Sequence, residues 1–218
     1  MSGVDASAPT VHKVLMSAGY EPVRKQKGKH LKRYAKPSGN YQWNIDFVEI
    51  GVDRITGRKI ESLSVTDDHS RYTFSSDATI FATTEHVIDV LERLIRLYGK
   101  PKIIHSDHGV QWYSTSSGES RFDKWCEEMG IIHTMAPIRT PSCNGKVERY
   151  HGCLRTEATL PKEGTVEDYQ NILRDFRIFF NNQRPHCSLD YRTPAEVYNK
   201  TFTCEYHRKE FDRLLTAC

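Results

Sequence analysis

Three carboxylates occupy positions where their chemistry needs explaining. Asp46 lies inside WNIDFVEI (43–50), an alternating, strand-like segment in which an ionised side chain is costly unless a partner or cation neutralises it. Asp107 closes KIIHSD (102–107), just before the His108-Gly109 turn, at the kind of strand end where open sheets place their sites. Glu148 falls in the first turns of a helix starting near Asn144, with His151, Gly152 and Arg155 following it on one face at i+3, i+4 and i+7. Three oxygen donors suit Mg²⁺ or Mn²⁺, which accept carboxylates together with water and phosphate oxygens. Two such ions about 4 Å apart can clamp the attacking and leaving oxygens of an in-line phosphoryl displacement. Gly152 leaves room for a bulky ligand, and Arg155 offers a phosphate contact. The competing explanation is chance, since 28 acidic residues in 218 will produce some suggestive placements.

The elements that must bring these residues together can be read from periodicity. Residues 43–50, 59–67 and 71–77 read as three strands of a meander, and 102–107 and 131–135 as two more. Helices are predicted over 84–98, 121–129 and 144–159, and from Val166 onward, where Thr165 and Asp168 form a capping box and Tyr169, Leu173, Phe176 and Phe180 an apolar face. Thr193 and Glu196 repeat the capping signal for a short helix, and 205–215 reads as a last one. The order βββαβαβαα predicts an α/β domain with a five-stranded mixed sheet.

Charge divides the chain differently. Residues 1–37 carry eight Lys/Arg against two acids, a net +6 hidden within an overall +3. The run RKQKGKHLKRYAK holds Arg24, Lys25, Lys27, Lys29, Lys32, Arg33 and Lys36 with no acid, a composition that repels itself and suits phosphate backbones, or else serves as a solvated linker. Upstream of it, Val11, Val14, Leu15 and Ala18 mark one short helix ended by Gly19. The domain boundaries expected are therefore 1–40 for an arm and linker, 41–200 for the main domain and 201–218 for a terminal helix. No apolar run reaches the roughly 20 residues needed to span a bilayer, and Met1 is not followed by a secretory pattern. Six cysteines without a CxxC or an even framework suggest reduced thiols in a cytoplasmic setting.

The segments WNIDFVEI, IIHSDHGVQW, PSCNGKVERYHGCLRTE and NNQRPHCSLDYRTPAEVY, in this order over residues 41–200, closely resemble the catalytic core of insertion-sequence transposases and retroviral-type integrases. The resemblance implies an RNase H-like fold, a catalytic triad of Asp46, Asp107 and Glu148 binding two Mg²⁺ (or Mn²⁺) ions, and metal-dependent DNA cleavage and strand transfer. It also implies DNA as partner (element ends and target), a homo-oligomer on DNA, nucleoid association and no membrane. By the same resemblance Lys146, Arg149 and Arg155 are expected near DNA. The N-terminal helix and basic linker look like the tail of a helix-turn-helix arm. The 40 residues between Asp107 and Glu148 exceed the retroviral spacing, with 113–120 as the insertion. Two other functions stay open: a metal-dependent nuclease of the same fold that cuts without joining, and an inactive remnant that binds DNA through its arm.

Other residues compete for these roles. Glu49 alternates away from Asp46, Asp67 and Asp68 suit a turn, and Asp77 is unassigned. His108 either touches substrate or shapes its turn, and His151 either orients Glu148 or meets DNA. His105, His133, Cys126 and Cys143 lack zinc-ligand spacing. Neither a G-x-S-x-G nucleophile nor a P-loop occurs.

Overall fold

The strand around Asp46 runs longer than its alternation suggests, from Gln42 to Asp53 (β1), because both of its faces are covered. Trp43 and Ile45 enter one core, and Val48 and Ile50 enter another on the opposite face. The computed structural model describes residues 7–20, 35–107, 109, 120–136 and 145–199. Of the sequence expectations, the 205–215 helix, His108 and the basic run from Arg24 to Arg33 lie outside them. The chain divides into two units, Met1–Tyr34 and Ala35–Cys218.

In the second unit, β2 (Lys59–Asp67) and β3 (Thr73–Thr79) complete the antiparallel meander with β1. On the other side, β4 (Ile103–Ser106) runs parallel to β1, and β5 (Ile132–Met135) parallel to β4, giving the order β3-β2-β1-β4-β5. Five strands were expected; the sheet has six. The sixth, β6 (Glu163–Gly164), pairs with the end of β1 at Val52 and Asp53, and two residues are too few to leave a periodic signal.

Helices α2 (Thr84–Tyr98) and α3 (Arg121–Glu128) cover one face of the sheet. Thr83 caps the first of them by accepting from the His86 N–H, and Gly99 ends it at φ 84°. The other face carries α4 (Gly145–Glu157) and α5 (Val166–Asn182). The Thr165–Asp168 capping box forms as predicted. Asn181 of α5 both accepts from the backbone N–H of Thr73 and donates to its carbonyl, locking that helix to β3. A β-bulge between Glu49 and Gly51 ends the regular β1–β2 register. Gly51 is required there because any Cβ would overlap the Tyr169 ring of α5. A 3₁₀ turn (Cys187–Leu189) and α6 (Pro194–Asn199) follow, and Tyr198 reaches the first core.

In the first unit, α1 (Ala8–Ser17) begins with Ser7 accepting from the Thr10 N–H. Val11, Val14 and Leu15, the stripe read from its sequence, are exposed.

Candidate active site

Alternation places Asn44, Asp46 and Val48 of β1 on the α4 face of the sheet. The parallel pairing with β4 ends at Asn44 opposite His105. Carried two residues further, the same register brings Asp107 level with Asp46. From α4, which crosses above β1, Glu148, His151 and Arg155 present the i, i+3, i+7 stripe.

The electrostatics of Asp46 report that convergence. Its side chain is 17% exposed. Burial first, and then the charges of Asp107 and, more weakly, Glu148, lift its carboxyl from 3.8 to about 7, against the opposing pull of the Phe47 backbone N–H and of Arg155. A carboxylate just past a strand end and another on a helix thus both act on Asp46. Among the described residues, however, no three His, Cys, Asp or Glu side chains are gathered closely enough to hold a metal ion. The donor set is all oxygen and short of positive charge, which fits a hard divalent cation and does not fit zinc. Asp107 is half-buried, and its Oδ1 accepts from the Gly109 N–H at 2.9 Å. Glu148 is exposed.

Two of the candidate residues on α4 make contacts within the domain. His151 is 4% exposed. Its Nδ1 lies 3.6 Å from Asp46 Oδ2. Burial, then Arg155, pushes its imidazole down to about 3, so the ring is neutral at physiological pH. It packs beneath the helix because Tyr150, Cys153 and Leu154 carry the apolar stripe past it. Lys146 is directed at Asp68, with Nζ 2.5 Å from Oδ2 and side-chain exposures of 20% and 6%. Burial disfavours the Asp68 charge, yet the hydrogen bonds from Lys146 and from the Lys36 backbone N–H hold its carboxyl below the usual range. This pair ties the first turn of α4 to the turn after β2. Arg149 and Arg155 remain exposed.

Asp67, Glu49 and Asp77, the other acids weighed in the sequence, have partners of their own. Asp67 is fully buried and accepts from the Asn40 N–H and from both the N–H and hydroxyl of Ser70. Glu49 pairs with Lys59 at 2.7 Å and Asp77 with Arg93 at 2.9 Å, both away from Asp46. Cys126 is a core residue whose thiol burial pushes up to about 12, and His105 Nδ1 is 2.9 Å from Thr134 Oγ1. One further cluster has no sequence counterpart. His133 joins Asp123 of α3 to Ser106 of β4, and the signal available was Ser120-x-x-Asp123, whose serine caps α3.

A mixed sheet covered on both faces, with acidic residues inside its central strand, just past the end of the adjacent parallel strand and on the helix above them, is the integrase catalytic-core, RNase H-like architecture. Two models described as integrase core domain match residues 37–141 and 129–194. The chain belongs to the integrase core family. It is 25% identical over 204 residues to an uncharacterized 31.7 kDa protein of insertion element IS407 from Burkholderia multivorans, with 91% of this chain and 71% of that one covered. To an uncharacterized 39.2 kDa protein of insertion element IS476 from Xanthomonas euvesicatoria it is also 25% identical, across 78% of this chain and 47% of that one. Among solved structures, the HTLV-2 integrase catalytic core domain in complex with magnesium (trimeric form) superposes with a TM-score of 0.53 at 19% identity, covering 74% of this chain and 98% of that one. None of the described helices is long and apolar enough to cross a membrane.

Proposed function

We propose that this chain is the catalytic core of a DNA transposase or integrase, a polynucleotidyl transferase in which Asp46, Asp107 and Glu148 hold two Mg²⁺ or Mn²⁺ ions. The observation that carries this reading is the Asp46 carboxyl, raised to about 7 by burial and by the two other members of the set. A fold gains nothing from setting two carboxylates against a buried third unless a cation compensates them. Bound divalent cations supply charge neutralisation for the phosphoryl group in transit and activation of the attacking oxygen.

The residues of the chain do the rest. Asp46, inside the central strand, is paired with Ser64 of β2 and is the fixed member of the set. Asp107 joins it from the end of the adjacent strand, and Glu148 from the exposed first turns of α4. Arg155, on the Glu148 stripe, and Arg149 are exposed donors suited to the phosphate backbone. His151 fills the space behind Asp46 as a neutral ring and leaves the charge balance to the cations. The chemistry is displacement at phosphorus, first by water and then by the freed 3′-hydroxyl, with no covalent enzyme intermediate.

Neutralising Arg24, Lys25, Lys27, Lys29, Lys32 and Arg33 is expected to lower the salt dependence of DNA binding. The joining step is tested with a duplex carrying a pre-cleaved end and a free 3′-hydroxyl, incubated with plasmid DNA and Mg²⁺. Covalent joining is expected. Nicking of the plasmid without joining would instead identify a nuclease of the same fold.

A further inference from the structure

The orientation of Asp107 needs its own explanation. The β1–β4 pairing stops at His105, so the Asp107 peptide lies beyond the ladder that holds Asp46. What reaches it is a chain of side chains from α3 and β5. Asp123 is fixed first: its N–H donates to Ser120 Oγ at 2.9 Å, and its Oδ2 accepts from the Ser120 hydroxyl at 2.7 Å. Its Oδ1 lies 2.6 Å from His133 Nδ1, the length of a charge-assisted bond. Nε2 of the same ring is 2.9 Å from Ser106 Oγ. The Ser106 hydroxyl donates to the Asp107 carbonyl at 3.0 Å. The imidazole also stands perpendicular to Phe122, with centroids 4.8 Å apart and planes at 87°.

Asp, His and Ser in this order are the constellation of acyl-transfer enzymes, recognised by geometry and not by sequence position. Here the serine has no solvent exposure and its proton is directed at the next carbonyl, which excludes it as a nucleophile. The ladder holds a peptide in place. On its far side the Gly109 N–H donates to Asp107 Oδ1. Carbonyl and carboxylate of Asp107 are therefore gripped from opposite ends of one residue.

We propose that Asp123, His133 and Ser106 are positioning residues for Asp107, transmitting the rigidity of α3 and β5 to the carboxylate that faces Asp46. This rests on the reading of Asp107 as a metal-binding residue. Outer partners of this kind fix ligand direction, and their loss typically weakens metal affinity 10- to 100-fold.

The test uses the full chain with Ser106→Ala, His133→Phe and Asp123→Asn, alongside Ser106→Thr, which keeps the hydroxyl, and Asp107→Asn. Two quantities are read: Mn²⁺ affinity by electron paramagnetic resonance, and hydrogen exchange of the Gly109 amide. Ser106→Ala and His133→Phe are expected to weaken Mn²⁺ binding at least tenfold and to speed Gly109 exchange, with Ser106→Thr near wild type. The double variant should be no worse than either single one, because both break the same ladder. Unchanged Gly109 exchange in the folded variants, or additive effects, would overturn the proposal. If Ser106→Ala does not fold, Asp123→Asn at the partly exposed end of the ladder gives the same reading. Equal Mn²⁺ binding by wild type and Asp107→Asn would sink the metal reading instead, and Gly109 exchange then decides the ladder by itself.

Discussion

His151 Nδ1 lies 3.6 Å from Asp46 Oδ2, inside the interface between α4 and the sheet. The separation is too long for a hydrogen bond, and the ring is neutral at physiological pH, so this is not an ion pair. A buried imidazole beside a carboxyl would ordinarily gain a proton. Here desolvation, reinforced by Arg155, keeps the ring unprotonated. His151 consequently gives Asp46 no compensating charge, which leaves the weaker pull of Arg155. The ¹⁵N shifts of the His151 ring are expected to stay those of a neutral imidazole from pH 8 to pH 5. Titration near 6.5 would mean that the pair is ionic.

Lys146 and Asp68 form a partly buried pair, and breaking it leaves one charge uncompensated. Lys146→Met is expected to cost roughly 1–3 kcal/mol. In a double-mutant cycle with Asp68→Asn the coupling should exceed about 1 kcal/mol. A stability change near zero together with weakened DNA binding would place the ammonium on DNA instead.

His186 gives the chain an acid-side weakness. Burial, then Arg184, pushes its imidazole down to about 4, where it packs edge-on against Phe180 at 4.7 Å. With the folded value below the unfolded 6.5, the unfolded state binds more protons between the two. Stability is then complete above about 6.5 and falls as pH drops toward 4. After allowance for solvent screening the loss is about 1–2 kcal/mol. His186→Asn should flatten this part of the Tm–pH curve, and an unaltered curve would contradict the assignment.

Gly51 tests the packing of α5 on the bulge of β1. Gly51→Ala drives a Cβ into the Tyr169 ring and is expected to cost about 1–3 kcal/mol, with partial recovery in Gly51→Ala/Tyr169→Leu. Full stability of the single variant would mean that the ring is free to move.

Legibility from sequence followed periodicity. β1, α2 and α5 were readable because Trp43 and Ile45, Val87 and Leu91, and Tyr169 and Leu173 repeat at the spacing of their elements. The stripe Glu148, His151, Arg155 followed from helical geometry alone. What stayed hidden depended on partners distant in sequence. Nothing local to Lys146 announces Asp68, and nothing local to His133 announces Ser106, because β5 and β4 become neighbours only in the sheet. His151 stays open in sequence between orienting Glu148 and meeting DNA, because nothing local shows that it is buried with Tyr150, Cys153 and Leu154. β6 was invisible because two residues have no period.

The most direct measurement of the central claim is plasmid nicking by Asp46→Asn, Asp107→Asn and Glu148→Gln with Mg²⁺, with DNA binding measured on the same preparations. The account predicts that each substitution lowers cleavage at least a thousandfold, about 4 kcal/mol of transition-state stabilisation, while DNA binding and folding persist. Cleavage retained by any one of the three would contradict the triad.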